Sequence, residues 1–354
     1  MENQITYRLA GDSDIESINA FYNAIYQKQR THAQFVWEYN SAPAGKAIYV
    51  IAELNGSIVG TQCAIPYYVV TAHNRQILTA KSEDTLVSPT QRGKNIFENM
   101  YAFLIEECKK NRIDFIWGFT YAEKPFRKIG FEIPFKSSMG LMVIKPLKAT
   151  RYFYALTAKK TFTSWFKILL LSFMSVVKYK LLFLKKTKRI TLDTGHVSLN
   201  TDALNYVKQD DLFGLKLDKD FLNYRILNNP YSSNYETLSY NESGLLKASV
   251  TYNMTREGIG YIIQLFFAPG LSPETKTAFM ATAIKSSSLK TCIALRYWGF
   301  DHNVHNSEEI DLLKKCNFVF IKRGISFVGL KLNPSSDINF SNFVLSRMAS
   351  QGTD

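Results

Sequence analysis

The run Ser88-Pro89-Thr90-Gln91-Arg92-Gly93-Lys94-Asn95-Ile96 has the residue types that hold a phosphate. Ser82 to Val87 reads as a short strand, Ser-Pro and Arg-Gly punctuate a turn, and Ile96 to Cys108 repeats apolar residues at helical spacing. The order strand, tight turn, helix leaves the first helical N–H groups without intrahelical partners, and their positive end favours an anion. Gly93 lets a ligand approach the backbone, and Arg92 and Lys94 add charge. Taken alone, an ordinary solvated turn explains an isolated Arg-Gly-Lys equally well.

The elements around the turn narrow the choice. Residues 5 to 131 read as strand, helix, short helix, three strands, glycine turn, long helix, strand and helix, an order that resembles the GCN5-related N-acetyltransferase (GNAT) fold. In that family an Arg/Gln-x-x-Gly-x-Gly/Ala turn binds the pyrophosphate of acetyl-coenzyme A. Here Arg92 takes the first place, while Asn95 and Phe97 replace the two small residues. Asn tolerates the left-handed conformation, and Phe97 is expected to face the core from the helix. The resemblance implies acetyl-coenzyme A as co-substrate, held by Leu86, Val87, Arg92, Gly93, Lys94, Asn95, Ile96 and Phe126.

The family commonly places a tyrosine four residues before the glycine that ends the following helix, where it protonates the leaving thiolate. Here that position is Phe126, before Gly130, so the role is absent or passes to Tyr121. Members also place a base on the strand before the turn. Strand alternation sends Glu83 and Asp84 to opposite faces, and Asp84 is the preferred base. An acid that merely bonds nearby loop amides is the competing reading. Backbone amides after Leu86 are the expected donors to the tetrahedral intermediate.

A second set of residues repeats the first. Phe35-Val36-Trp37-Glu38-Tyr39 precedes a strand pair, as does Phe221-Leu222-Asn223-Tyr224-Arg225, and Arg127-Lys128-Ile129-Gly130-Phe131 is matched by Lys314-Lys315-Cys316-Asn317-Phe318. A diverged duplication is the economical reading. In the second half, Ala268-Pro269-Gly270-Leu271-Ser272-Pro273 carries no basic residue, and its prolines remove amides from the place a phosphate needs them. That half reads as a companion that has lost its coenzyme site. Trp298, Asp301 and His302 lie in its aromatic segment, a substrate-facing loop or a local packing turn.

The chain has 354 residues, 46% of them hydrophobic, enough for two folded domains. Cys63, Cys108, Cys292 and Cys316 are widely spread, which reads as reduced buried thiols, and neither they nor His302 and His305 offer a metal-ligand spacing. Met1-Glu2-Asn3-Gln4 begins no apolar signal segment, so a cytoplasmic protein is expected.

Charge is concentrated in one place. Residues 145 to 189 contain twelve Lys or Arg and no Asp or Glu, whereas the whole chain has a net charge of +13. The stretch is also apolar: Ile168 to Val177 carries no charge, too short a run to span a bilayer, which takes roughly 20 residues. Lys167, Ser172, Ser175 and Lys178 recur near helical spacing, which predicts a helix with one narrow polar stripe. Two roles fit it: a spacer whose broad apolar face packs between the domains, or a peripheral contact with an anionic membrane. Nucleic acid is not the expected partner, because the stretch has no recognition motif beyond its charge.

The expected fold is therefore α/β (α+β): two tandem acyl-CoA N-acyltransferase-like domains, each a mixed, mostly antiparallel sheet flanked by helices. The expected divisions are 1–145 for the coenzyme domain, 146–196 for the basic helical linker, 197–332 for the degenerate domain and 333–354 for the tail. The expected activity is transfer of an acetyl group to a small-molecule amine such as an amino sugar. Alternatives are an aminoacyl or peptidyl transferase of the same fold, or a non-catalytic acyl-CoA-binding or membrane-surface protein.

Overall fold

The computed structural model describes residues 4–71, 73–184, 190–195, 211–231, 234–321, 324–334 and 336–350. The chain opens with β1 (Thr6–Leu9), α1 (Ile15–Tyr26) and α2 (His32–Phe35), which runs into a π-helical turn, Val36–Asn40. There follow β2 (Ile48–Leu54), β3 (Ser57–Thr71), β4 (Gln76–Val87), α3 (Ile96–Lys110), β5 (Phe115–Thr120), α4 (Glu123–Lys128) and β6 (Ser138–Val143). Two helices, α5 (Pro146–Ala155) and α6 (Phe162–Leu184), cover the basic stretch and precede β7 (Asp193–Gly195) and β8 (Phe213–Leu215). Then α7 (Lys219–Leu222) runs into a second π-helical turn, Asn223–Leu227. The remainder is β9 (Asn234–Glu242), β10 (Leu245–Met254), β11 (Ile259–Phe267), α8 (Pro273–Ile284), α9 (Ser287–Lys290), β12 (Ala294–Gly299), α10 (Val304–Lys315), β13 (Val319–Ile321), β14 (Ser326–Lys331) and β15 (Phe343–Val344).

Two compact units result, and neither is continuous in sequence. Unit 1 comprises Met1–Lys136, Val207–Tyr231 and Ile325–Phe343; unit 2 comprises Ser137–Tyr206, Ser232–Gly324 and Val344–Asp354. The sequence reading cuts the chain into successive spans instead. The difference lies in segments that cross over: β6 follows the first half but pairs with β12 and β13, β14 follows the second half but pairs with β5, and Val207–Tyr231, with β8 on β3, belongs to unit 1. Local periodicity marks a strand without naming its neighbour, so the sequence could not assign them.

In unit 1 the described strands form an eight-stranded sheet in the order β1-β2-β3-β4-β5-β14, with β8 on β3 and β15 on β8. Only β4 and β5 pair in parallel among the ladders of this path. Ile96, Met100, Leu104 and Cys108, each four residues on, give α3 one buried face against Val50, Ala52, Ala80, Ile116 and Val328. A second ring cluster joins Phe115, Phe213, Phe340 and Phe343. Phe340 lies over Gly329, where an added Cβ would come within 2.6 Å of its ring, so the segment read as a tail is part of the core.

In unit 2 seven strands run β13-β6-β12-β11-β10-β9-β7, again with one parallel pair, β11 and β12. Its core joins Phe279, Met280 and Ile284 of α8, Leu313 of α10 and Tyr179 and Leu182 of α6 to the sheet. Each unit thus has an α/β architecture with a mixed, mostly antiparallel sheet.

The repeated sequence segments have repeated geometry, with one change of register. Both π-turns follow a four-residue helix, which matches Trp37 to Tyr224, one residue off the alignment of Phe35 with Phe221. Trp37 stacks on Tyr224 at 5.3 Å and its Nε1 donates to the Tyr224 carbonyl at 2.7 Å. The helix ends correspond as read: Gly130 and Asn317 both have positive φ, Phe131 N donates to Phe126 O, and Phe318 N donates to Leu313 O.

Candidate functional site

The site begins with a defect in β4. Thr61 pairs with Leu86 and Cys63 with Glu83, so Gln62 faces both Asp84 and Thr85, and Asp84 adopts φ +51°. This is a β-bulge with a left-handed non-glycine residue, a conformation costing about 1–2 kcal/mol that the surroundings must hold. They do so on several sides. Thr61 Oγ1 donates to the Asp84 carbonyl at 2.9 Å, Thr85 donates to Gln62, Gln62 Nε2 donates to Ser82 Oγ at 3.0 Å, and Ser82 Oγ lies 2.6 Å from the Tyr101 hydroxyl.

Beyond the bulge β4 parts from β5. The parallel ladder runs only from Ala80↔Ile116 to Ser82↔Gly118, although β4 continues to Val87. At the last pair the strands are close, since a Cβ on Gly118 would sit 3.0 Å from the Ser82 carbonyl. The β4 edge from Glu83 to Val87 therefore has no β5 partner, and an extended chain bearing amides can add to such an edge.

At the end of that edge the turn opens onto α3. Gly93 has φ +83° with open space where a Cβ would stand, and Asn95 is left-handed at φ 56°, ψ 21°, as its residue type suggested. No side chain caps the helix, so its leading amides remain available. Arg92 is exposed, and Lys94 Nζ donates to Gln91 Oε1 at 2.7 Å. Ile96 and Leu86 bury their side chains and Val87 is half-buried, so what they offer a ligand is backbone. The Phe97 ring turns inward, 4.7 Å from Tyr101 and 5.4 Å from Phe126. Phe126 is itself buried among Phe97, Tyr101 and Phe131 and belongs to the core.

The two adjacent acids take different partners, at a bulge where simple strand alternation does not hold. Glu83 pairs with Lys81, which is buried on the same strand. The Asp84 side chain is 2% exposed; Arg30 Nη1 donates to it at 2.9 Å and the Tyr49 hydroxyl donates to the same oxygen. Arg30 in turn donates to Asn19 Oδ1 at 2.7 Å and Tyr39 Oη at 3.0 Å, lies 3.9 Å over the Tyr22 ring and stands 3.6 Å from Glu38. Glu38 also accepts from the Tyr231 hydroxyl, and burial holds its carboxyl above the ordinary range. Burial also pushes the Tyr22 hydroxyl up to about 12.

This Arg30, Glu38, Tyr49, Asp84 and Tyr231 cluster was not found from sequence. Its members are scattered over about two hundred positions, and only the aromatic density around Arg30 hints at a buried cation. Tyr121 is 82% exposed in a bend between β5 and α4. One guanidinium thus brings the carboxyls of Asp84 and Glu38 together.

Trp298, Asp301 and His302 belong to unit 2, Trp298 within β12 and the other two in the segment that leads to α10. Trp298 packs on Phe300 at 4.8 Å, the Asp301 carbonyl accepts from Ser307 Oγ at 3.1 Å, and His302 Nε2 lies 3.1 Å from Asn303 Nδ2. Asn303 caps α10 by accepting from Asn306 N at 2.9 Å. All four cysteines are buried, and no group of His, Cys, Asp or Glu among the described residues has metal-binding spacing.

The α6 serines also depart from expectation. Ser172 and Ser175 lie in the buried face, where Ser175 Oγ accepts from Val143 N at 2.8 Å, and Val176, Tyr179 and Leu182 accompany them. Small hydroxyls let the helix come close to β6, so the predicted polar stripe is an inner seam. The broad apolar face is exposed. Among the described residues no helix is long and apolar enough to cross a membrane.

Residues 6–133 match the sequence profile of the acetyltransferase (GNAT) domain family. No curated protein sequence matches the chain. Among solved structures, a protein of Enterococcus faecalis described as a probable N-acyltransferase superposes with a TM-score of 0.65 at 11% identity, over 93% of this chain and 73% of that one. A tandem GNAT protein from the clavulanic acid biosynthesis pathway gives 0.55 at 11%, over 94% and 100%. The N-myristoyltransferase of Saccharomyces cerevisiae with bound myristoyl-CoA gives 0.57 at 12%, over 93% and 83%. At these identities the likeness is one of fold.

Proposed function

We propose that the chain moves an acetyl group from acetyl-coenzyme A to a small-molecule amine, with the chemistry in unit 1. The observation that carries this reading is the uncapped start of α3, with its open Gly93 and left-handed Asn95, at the end of an unpaired β4 edge. The amides from Gly93 to Ile96 would hold the pyrophosphate and Arg92 would add charge. The β4 edge from Glu83 to Val87 would align the amide-bearing arm of the coenzyme as an added strand. A backbone amide after Leu86 would then face the thioester oxygen.

In the transfer, the amine lone pair forms the new C–N bond, the C–S bond breaks, and one proton must leave the nitrogen while the sulfur gains one. Arg30 and the Tyr49 hydroxyl already engage the Asp84 carboxylate, whereas burial raises the Glu38 carboxyl above the ordinary range, which makes Glu38 the better candidate base. We place the proton path at this cluster, with water as a relay. Phe126 is in the core and Tyr121 is exposed, so protonation of sulfur by solvent suits the residues present.

An amino sugar is our first acceptor class, since Tyr26, half exposed beside Tyr22, offers an aromatic face on which a sugar ring packs. We read unit 2 as a companion without a coenzyme site, and a cytoplasmic location goes with this reading.

Calorimetry with acetyl-coenzyme A, free coenzyme and a nucleotide competitor tests the proposal. Micromolar affinity that falls in the folded Arg92→Ala variant, followed by turnover in a screen of amines, would support it. A folded protein that binds no thioester would end it.

A further inference from the structure

We propose that the outer face of α6 seats this protein on the surface of an anionic lipid bilayer. Phe166, Leu170, Phe173, Met174, Val177 and Leu181 recur at steps of three and four, which aligns them in one stripe along a helix about 34 Å long. They are the wrong residues to leave in water: each is 46–57% exposed, and Phe162 at the head of the helix is 76% exposed. The opposite face is already occupied, since Ser172, Ser175, Val176, Tyr179 and Leu182 are buried and Val143 bonds to Ser175. The stripe is therefore a second apolar face, larger than the isolated exposed hydrophobes of an ordinary surface.

Charge selects the occupant. By helical geometry, Lys167 and Lys178 border the stripe on one side and Lys180 on the other, and all three are exposed. Lys148 and Arg151 of α5 are exposed too, and residues 145–189 contain no acid. A helix with apolar residues below and lysines at its flanks matches a bilayer whose acyl boundary takes the rings and whose anionic headgroups take the ammonium groups. A second copy packed stripe to stripe would bring lysine against lysine. Nucleic acid would satisfy the lysines and leave the stripe wet. The attachment is peripheral, because no helix among the described residues can span. It does not rest on the acyl-transfer reading.

The test is flotation of the full chain with phosphatidylcholine vesicles, with and without phosphatidylglycerol, beside the oligomeric state in solution. Flotation with the anionic vesicles, weakened by salt, is expected. Phe166→Ser/Leu170→Ser/Val177→Ser, all at exposed positions, should lower partitioning about tenfold or more. Lys167→Glu/Lys178→Glu/Lys180→Glu should remove the preference for anionic vesicles. No flotation of folded protein, or flotation that both variants leave unchanged, overturns the proposal. So does a dimer without vesicle binding that the serine variant turns into a monomer.

Discussion

The starts of α3 and α8 occupy the same place in the order strand, turn, helix, and they differ in what occupies their first amides. Before α3 stand Gly93 at φ +83° and Asn95 at φ 56°, with basic neighbours and no capping side chain. Before α8, Ser272 accepts from Thr275 N at 3.2 Å, Pro273 takes the first helical position, and no basic residue lies from 268 to 273. The strands that lead in are alike, for β11 also carries a bulge, at Ile263, where Thr251 pairs with Gln264 and Tyr252 with Ile262. A shared backbone plan therefore leaves the helix start open in one unit and closed in the other. If α3 holds the coenzyme as proposed, two or three residues that close a helix start are enough to remove such a site.

The bulges offer the sharpest way to test that contrast. Asp84 is the partner of buried Arg30, whereas the bulge in β11 presents apolar Ile263. Asp84→Ala should cost about 3–5 kcal/mol of stability because it leaves a buried guanidinium without its carboxylate; a denaturant midpoint unchanged from wild type would show that the ion pair does not hold the bulge. At the helix starts, Arg92→Ala with Gly93→Val should reduce acetyl-coenzyme A affinity at least tenfold, about 1.4 kcal/mol. The valine is also strained at a positive φ, so unfolding and Arg92→Ala alone must be measured beside it. Equal affinity in the folded variants would remove the turn from the site.

The counterpart in unit 2 should behave in the opposite way. Ser272→Ala should lower stability by about 1 kcal/mol through loss of the cap and leave coenzyme affinity unchanged. A change in affinity would mean that the closed start still takes part in binding. The smallest effect concerns pH. Burial raises the Glu38 carboxyl, so the folded chain keeps that proton where the unfolded chain has lost it, and stability should fall as pH rises from the ordinary carboxylate range through the raised value. In Glu38→Gln that fall should be absent in a series of thermal unfolding curves; an identical slope would place the titration elsewhere.

What the sequence disclosed was local. Arg-Gly and Ser-Pro marked the turn, Asn95 took the left-handed conformation its amide favours, and the prolines of the second half foretold a closed helix start. What it withheld depended on distant partners. Asp84 meets Arg30 across 54 positions, so its engagement could not be read from the strand that carries it. Phe126 stood at a family position but points to the core because Phe97, Tyr101 and Phe131 surround it. The α6 serines looked like a solvent stripe because periodicity records polarity and not size, and a small hydroxyl fits a tight seam as well as it fits water.

The exchange of β6 and β14 between the two sheets sets a schedule for the ribosome. Unit 1 holds most of its strands by residue 120, yet the outer edge of β5 stays open until residues 326–331 have emerged. A nascent chain must carry that bare edge through the synthesis of nearly all of unit 2, a long exposure for a surface that invites pairing with strangers. Truncation after the first half would make the exposure permanent.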